Sequence, residues 1–379
     1  MELIFGIIVG VLILVFLVTV HELGHAIIAR RNGVVVEEFG IGFPPRAWAK
    51  KLKNGVLFTL NWLPLGGFVK LQGEHDAADQ KGDYGAATFW QKTRILLAGV
   101  LINWLVAALL LTVLAWTGLP KLLPNQFSVA NDTTIVKKPV ELGLVVKDSP
   151  ADKAGLKTGD QIVRFAGRSV ATSEDLSAAT EENKGKTVEI IYARRGVENT
   201  TNAVLRTDKK DGYLGVGSQQ REQIQATWSA PIVGVVTTGQ FTYVTLQSLG
   251  DLLVDFTKGV ILQFSFDASQ REEAGDSLEK AGNSVAGPIG ILGTIFPAAE
   301  RAGLTQLTFL TAIISLTLAV MNALPIPALD GGRWFTMAIF RLLKKPLTKD
   351  IEEKIQTAGF MILMGLIIIV TIADVGKLF

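Results

Sequence analysis

Four blocks of the chain are apolar at nearly every position, and polar stretches of very different length separate them. They run from about Leu3 to Ala29, from Ile95 to Gly118, from about Leu304 to Leu324 and from Gly359 to Val375. Each is close to the ~20 residues a helix needs to cross about 30 Å of hydrocarbon. An apolar block of that length has no polar face to offer water, so it predicts a membrane-spanning helix. The first block opens Met1-Glu2, without a basic n-region, and no small-residue cleavage site precedes the histidines that close it. It reads as a retained span.

Between the blocks the pattern changes in kind. In residues 34–71, Val34-Val35-Val36 and Val56-Leu57-Phe58-Thr59-Leu60 are β-prone, and Gly40, Gly42, Pro44, Pro45, Gly55 and Pro64-Leu65-Gly66-Gly67 break them up. These signals predict a small sheet. It reads either as an ordinary cytoplasmic hairpin or as a re-entrant sheet beside the first helix. The second reading is preferred, with Gly66 and Gly67 as candidate substrate contacts on an edge strand that pairs with extended substrate.

Residues 119–228 look like a soluble domain. Gly143-Leu144-Val145-Val146 reads as a strand, followed by a short helix capped at Ser149 with Pro150 in its first turn. A turn at Gly159-Asp160 leads into a second strand, and Val188–Tyr192 continues the sheet. Residues 229–303 carry no clean apolar run: Gly239, Gly250, Asp251 and Asp255 interrupt Ile232–Phe264. One or two interfacial helices are expected there.

Composition agrees with a multi-span membrane protein that has a sizeable aqueous part. Of 379 residues, 49% are hydrophobic and 19% charged. A net charge of +2 gives no reason to expect nucleic acid as a partner. The absence of cysteine excludes disulfides, thiolate zinc sites and a cysteine nucleophile. Arg30, Arg31, Arg46, Lys50, Lys51 and Lys53 follow the first block, and Arg333, Arg341, Lys344, Lys345, Lys349 and Lys354 follow the third. By the positive-inside rule both loops are cytoplasmic. Both termini and the long 119–303 region then face the other side.

The candidate chemistry lies at the end of the first block, in His21-Glu22-Leu23-Gly24-His25. Residues four apart share a helix face, so both imidazoles can address one ion while Glu22 stands beside them as a general base. Ionisable groups inside a span are costly and usually mark function. The plain alternative is a helix end whose histidines reach the interface. Such a zinc site needs a third protein ligand and an open fourth position. The third block ends Met321-Asn322-Ala323-Leu324-Pro325-Ile326-Pro327-Ala328-Leu329-Asp330-Gly331-Gly332. Its two prolines stop the helix, so Asp330 is expected on an unwound segment at the depth of the histidines. His75, in a polar stretch, reads as a solvated loop residue.

H-E-L-G-H closing the first span and N-A-L-P-I-P-A-L-D-G after the third together resemble the site-2 proteases, a family of intramembrane zinc metalloproteases. Gly40-Ile41-Gly42-Phe43, Pro64–Lys70, Gly99 with Asn103, and Gly287-Pro288-Ile289-Gly290 resemble the bacterial regulator-of-sigma-E-protease (RseP) type with a PDZ insertion. The stretch from Ser149 is similar to a bacterial PDZ module. Tyr213, Leu214, Gly215 and Val216 look like its peptide-binding loop, whether that groove holds a peptide terminus or stays unused.

The resemblance implies one zinc ion per chain on His21, His25 and Asp330, with Glu22 as base and Asn322 positioning substrate. Asn103 is either glue between helices or a substrate contact. The implied fold is a polytopic α-helical membrane protein: four transmembrane helices, a membrane-associated β-sheet and one extracytoplasmic PDZ domain. Its parts are a first span (1–30), a cytoplasmic or re-entrant β region (31–94), a second span (95–118), the PDZ domain (119–228) and an extracytoplasmic interfacial region (229–303). A third span (304–325), a cytoplasmic segment (326–358) and a fourth span with the C-terminus (359–379) complete it.

The implied activity is cleavage within the transmembrane segments of single-span proteins, such as anti-sigma factors or signal-peptide remnants, in the inner membrane. An upstream site-1-type protease makes the prior ectodomain cut. Two departures stand out: Val100 follows Gly99 where similar proteins often have proline, and there is room for one PDZ domain only. The alternatives are a non-catalytic PDZ-bearing adaptor and an ion-coupled transporter. The transporter would require inverted repeats, and the sequence shows none.

Overall fold

The computed structural model describes residues 2–376, apart from residues 195, 209–211, 266 and 284–285. In chain order it begins with helix α1 (Glu2–Arg31), strands β1 (Val36–Lys51) and β2 (Leu57–Leu71) and helix α2 (Phe89–Thr117). Next come β3 (Leu119–Pro120), β4 (Thr134–Lys137), β5 (Val140–Val145), α3 (Pro150–Lys153), β6 (Gln161–Phe165), β7 (Arg168–Ser169) and α4 (Ser173–Glu182). They are followed by β8 (Thr187–Arg194), β9 (Val197–Val204), β10 (Val216–Gln219) and β11 (Glu222–Gln225). The remainder is helical: α5 (Ala230–Gln263), α6 (Ala268–Asn283), α7 (Pro288–Gly290), a π-helical turn over Ile291–Ile295, α8 (Phe296–Arg301), α9 (Leu304–Ala323), α10 (Asp330–Leu342) and α11 (Lys349–Gly376). The chain forms two compact units, Met1–Leu114 with Pro231–Phe379, and Ala115–Ala230.

In the first unit α1, α2, α9 and α11 are long and apolar enough to cross a membrane. A helix meets its backbone hydrogen bonds internally, which is what hydrocarbon demands. α1 ends where Gly33 takes a left-handed φ of +82° and Val34 N–H donates to the Ala29 carbonyl at 3.0 Å, a glycine cap. Two helices start well before their apolar blocks. α2 opens six residues ahead of Ile95, where Thr88 and Gln91 cap it: Thr88 N–H donates to Gln91 Oε1 at 2.8 Å. α11 opens at Lys349, ten residues before Gly359. Hydropathy registers only the long apolar part of such a helix; Gln91, Lys92, Thr93 and Arg94 interrupt the start of α2, and charged residues fill the first turns of α11.

β1 and β2 form an antiparallel pair that bends back on itself. Glu38, Phe39, Gly40 and Ile41 each pair on one side with residues 57–60 and on the other with residues 67–70. The sheet is therefore wider than a simple hairpin, with the segment 67–71 along one border. That border lies against α1. A Cβ at Gly67 would sit in ordinary contact with Glu22 Cγ, at 3.7 Å, and in tight contact with the Gly40 carbonyl oxygen, at 3.0 Å, which places this stretch of the strand directly beside Glu22.

Within 229–303, the N-terminal part of α5 packs along α2. A Cβ at Gly234 would collide with Thr112, Trp104 Nε1–H donates to Thr242 Oγ1 at 3.1 Å, and Phe241 meets Phe309 of α9 edge-on at 5.9 Å. Gly234 permits the approach. Thr238 and Thr242 place their hydroxyls on carbonyls one turn back, so they can be buried.

The second unit holds a sheet of order β10-β5-β6-β8-β9, with β7 beside β6, and a separate three-stranded sheet β3-β11-β4. Val140, Leu142, Leu156, Ile162, Phe165, Leu176, Ile190 and Leu214 fill its core. Ser149 Oγ accepts from Asp152 N–H at 3.1 Å and caps α3, whose first residue is Pro150. Asp160 is buried and paired with Arg194 through two bonds of 2.7 Å. Tyr213, Leu214 and Gly215 precede the border strand β10. The Leu214 and Gly215 carbonyls accept from Ala151 and Val146 N–H at 3.0 Å each.

Candidate metal centre

On α1, His21 and His25 are one helical turn apart and both are buried. Their Nε2 atoms lie 3.2 Å from each other. Asp330 Oδ2 completes a triangle, 3.1 Å from His21 Nε2 and 3.2 Å from His25 Nε2. Among the described residues these three form the group of His and acidic side chains able to hold a metal.

A tetrahedral zinc ion with bonds of about 2.0–2.1 Å keeps its ligand atoms roughly 3.3 Å apart, close to all three separations here. Two imidazole nitrogens and one carboxylate oxygen are also a donor set that suits zinc and leaves a fourth position for the reacting groups. The residues fit the ion.

The expectation for Asp330 was right in depth and wrong in local form. It lies on no unwound segment; it is the first residue of α10. Pro325 and Pro327 do end α9, and residues 324–329 are non-helical, but Gly331 and Gly332 let a new helix start at Asp330, folded back on the old one. A Cβ at Gly331 would lie 2.4 Å from the Ala323 carbonyl, and one at Gly332 would lie 2.0 Å from the Ile326 oxygen. Further along α10, Arg333 Nε–H donates to Glu352 of α11 at 3.1 Å, and its Nη1–H to Glu74 at 3.2 Å. Trp334 Nε1–H donates to Thr93 of α2 at 3.0 Å. These contacts fix the rotation of α10, and with it the direction of the Asp330 carboxylate.

A cavity of about 250 Å³ opens onto the triangle, lined by Val18, Glu22, Asn103, Leu318, Asn322 and Leu329 as well as His21 and Asp330. Glu22 and Asn322 therefore share one chamber with the metal position. The Val69 backbone hydrogen-bonds Glu22, which ties the border of the sheet to that carboxylate. Gly66 backs onto Phe43 and Val18. Tyr213, Leu214, Gly215 and Val216 belong to the second unit. His75 holds no position in the triangle; its Nδ1 is buried without a hydrogen-bond partner.

Two contributors escaped sequence reasoning. His25 Nδ1–H donates to the Ile95 carbonyl at 2.8 Å, a backbone contact that no side-chain pattern announces. Gly99 makes room for both rings. A Cβ there would lie 2.4 Å from His25 Nε2 and 2.7 Å from His21 Nε2. Its spacing to Asn103 was the available signal.

A helix carrying two histidines and a glutamate, joined by an aspartate more than 300 residues away inside a bundle of membrane-length helices, defines a membrane zinc metalloprotease. Sequence comparison gives the same class. The model of Peptidase family M50 matches residues 9–366, and the chain belongs to that family. It is 32% identical over 359 residues to CPE1693 of Clostridium perfringens, covering 95% of each chain. It is 26% identical over 454 residues to zinc metalloprotease RasP of Bacillus licheniformis, covering 97% of this chain and 98% of the other. Among solved structures, the PDZ domain of an SdrC-like protein from Listeria monocytogenes aligns with 24% of this chain and 93% of its own, at 24% identity and a TM-score of 0.20.

Proposed function

We propose that this protease cuts peptide bonds within the transmembrane segments of single-span membrane proteins, with His21, His25 and Asp330 as zinc ligands and Glu22 as the base. The observation that carries the reading is the three-atom triangle at the wall of a chamber that also holds Glu22 and Asn322. Zinc, when bound, supplies the Lewis acidity that activates water and polarises a scissile carbonyl. Glu22 accepts the proton of the attacking water and returns it to the departing amide nitrogen. Asn322, on the last turn of α9, offers its amide to the substrate backbone or to the oxygen on which charge develops.

A substrate helix hides its carbonyls in its own hydrogen bonds and must unwind before attack. Backbone freed in this way needs new partners in a dry setting. The segment Gly66–Lys70 runs beside Glu22 and offers them by strand addition. The unwound substrate thereby passes next to the base.

The charge distribution supports an inner-membrane protein with its termini and PDZ-like unit outside and its metal near the cytoplasmic face. Tyr213, Leu214, Gly215 and Val216, at the start of β10, would then act on extracytoplasmic peptide. That unit would also exclude substrates with large outer domains, so a site-1-type cut comes first and anti-sigma factors or signal-peptide remnants are the natural substrate class. The test is purified protein with a single-span model substrate. Wild type cleaves it, while Glu22→Gln and chelator-treated wild type do not. Cleavage that persists in Glu22→Gln would refute the assigned base.

A further inference from the structure

Both imidazoles of the metal triangle turn their second ring nitrogen toward α2. His25 Nδ1–H donates to the Ile95 carbonyl at 2.8 Å. His21 Nδ1 lies 3.4 Å from the side-chain amide of Asn103, at the outer end of hydrogen-bond range. Ile95, Gly99 and Asn103 are four residues apart and share one face of α2, and His21 and His25 have the same spacing on α1. Gly99 is the gap into which both rings fit. This face of α2 thus reads partner, gap, partner.

The two partners differ in chemistry. A backbone carbonyl only accepts, so Ile95 fixes His25 with its proton on Nδ1 and its Nε2 lone pair free. An amide can donate or accept. Asn103 is fully buried; its Nδ2 faces His21 Nδ1, and its Oδ1 has no partner. If His21 offers its Nε2 lone pair to an ion, its proton is on Nδ1 and would point at an N–H. Turning the amide by 180° about Cβ–Cγ exchanges its two ends. Nδ1–H then donates to Oδ1, and the orphaned oxygen gains a donor.

We propose that Asn103 is the hydrogen-bond acceptor that holds His21 in the Nδ1–H tautomer and orients its ring for the metal. It is a positioning residue, distinct from the substrate-contacting Asn322. Its own backbone is held in turn, because Ser315 Oγ–H of α9 donates to the Asn103 carbonyl at 2.8 Å. Outer partners of this kind set the ring orientation and basicity of a ligating histidine.

The proposal rests on the reading of His21 as a zinc ligand, and its test separates the two. Zinc dissociation constants are measured by chelator competition on full-length wild type, His21→Ala, Asn103→Leu and Asn103→Asp. His21→Ala should lose the high-affinity site. Asn103→Leu, similar in size but with no acceptor, should weaken zinc binding about 10- to 100-fold. Asn103→Asp keeps an acceptor and should stay within about threefold of wild type or bind more tightly. With only three histidines in the chain, ¹⁵N-histidine spectra report the tautomer directly: His21 protonated at Nδ1 in wild type and Asn103→Asp, and not locked there in Asn103→Leu.

Wild-type affinity in His21→Ala would overturn the ligand reading. Loss in His21→Ala alongside wild-type affinity in Asn103→Leu would overturn the role of Asn103 alone, as would equal losses in the Leu and Asp variants. Should Asn103→Leu fail to fold, a wild-type spectrum with His21 protonated at Nε2 would still overturn it.

Discussion

Replacing Gly99 by alanine adds one methyl group, and the structure specifies what that methyl meets. The new Cβ would stand 2.4 Å from His25 Nε2, 2.6 Å from His21 Cε1 and 2.7 Å from His21 Nε2, whereas ordinary contact begins at 3.4 Å. Relief requires the His25 ring or the α2 backbone to move by about 1.0 Å, the difference between 3.4 and 2.4 Å. A metal site tolerates only about 0.2 Å of error in its ligand distances, so the shift is roughly five times the tolerance. A misplacement of ~1 Å at a reacting centre costs on the order of 100-fold in rate. Alanine is intrinsically the better helix former by about 0.8–1 kcal/mol, so α2 itself is not weakened. The expected result is a folded Gly99→Ala protein that has lost stoichiometric zinc, read by elemental analysis after dialysis, and cleaves a model substrate at least ~100-fold more slowly. Full zinc content with wild-type cleavage would refute the close approach of the two rings to α2.

Glu22→Gln should retain zinc, since Glu22 is not in the triangle, while its cleavage rate falls by about 10²–10⁴, the usual share of a general base; paired zinc and turnover assays check it. Arg333→Ala should destabilise the membrane unit by up to about 3–5 kcal/mol, because Glu352, only 5% exposed, loses its cation and keeps only the hydrogen bond from Asp76 N–H. The double variant Arg333→Met with Glu352→Gln should recover part of that loss in thermal unfolding. In the second unit, burial alone would raise the Asp132 carboxyl, but hydrogen bonds from Ser229 and Thr227 outweigh it and hold the group at about 2, below its usual 3.8. A carboxylate lowered on folding stabilises fully above its unfolded value, so this contribution is present above pH ~4 and is lost as pH falls through ~2. Cleavage of full-length protein by pepsin near residues 227–229 should therefore rise across that window. Asp132→Asn should be susceptible throughout, without that pH dependence.

What could be read in the sequence follows from where the information lies. A four-residue spacing is a complete statement of shared helix face, so His21, Glu22 and His25 needed no tertiary knowledge. Asp330 was reachable by elimination and by depth, because two prolines mark where α9 must stop. The restart at Asp330 depends on Gly331 and Gly332 meeting the carbonyls of Ala323 and Ile326, which only a folded chain displays. Hydropathy missed the starts of α2, where Gln91–Arg94 are polar, and of α11, which opens on charged residues, for the same reason that it found their cores. The packing of α5 on α2 left no trace in the sequence pattern, because Thr238 and Thr242 satisfy their hydroxyls within the helix and Gly234 admits Thr112. The Ile95 carbonyl could not be found at all: any residue supplies that oxygen, and only the close packing of α1 on α2 aims it at His25.

The most direct test is zinc affinity in Asp330→Ala, because among the described residues this is the one whose side chain in the C-terminal part of the bundle meets the two histidines of α1. Equilibrium competition on wild type should give one tightly held zinc per chain. The variant should bind far more weakly, beyond the 10- to 100-fold that loss of an outer partner produces. An Asp330→Ala protein that holds zinc as tightly as wild type would show that the metal is gripped elsewhere, and the account would fall.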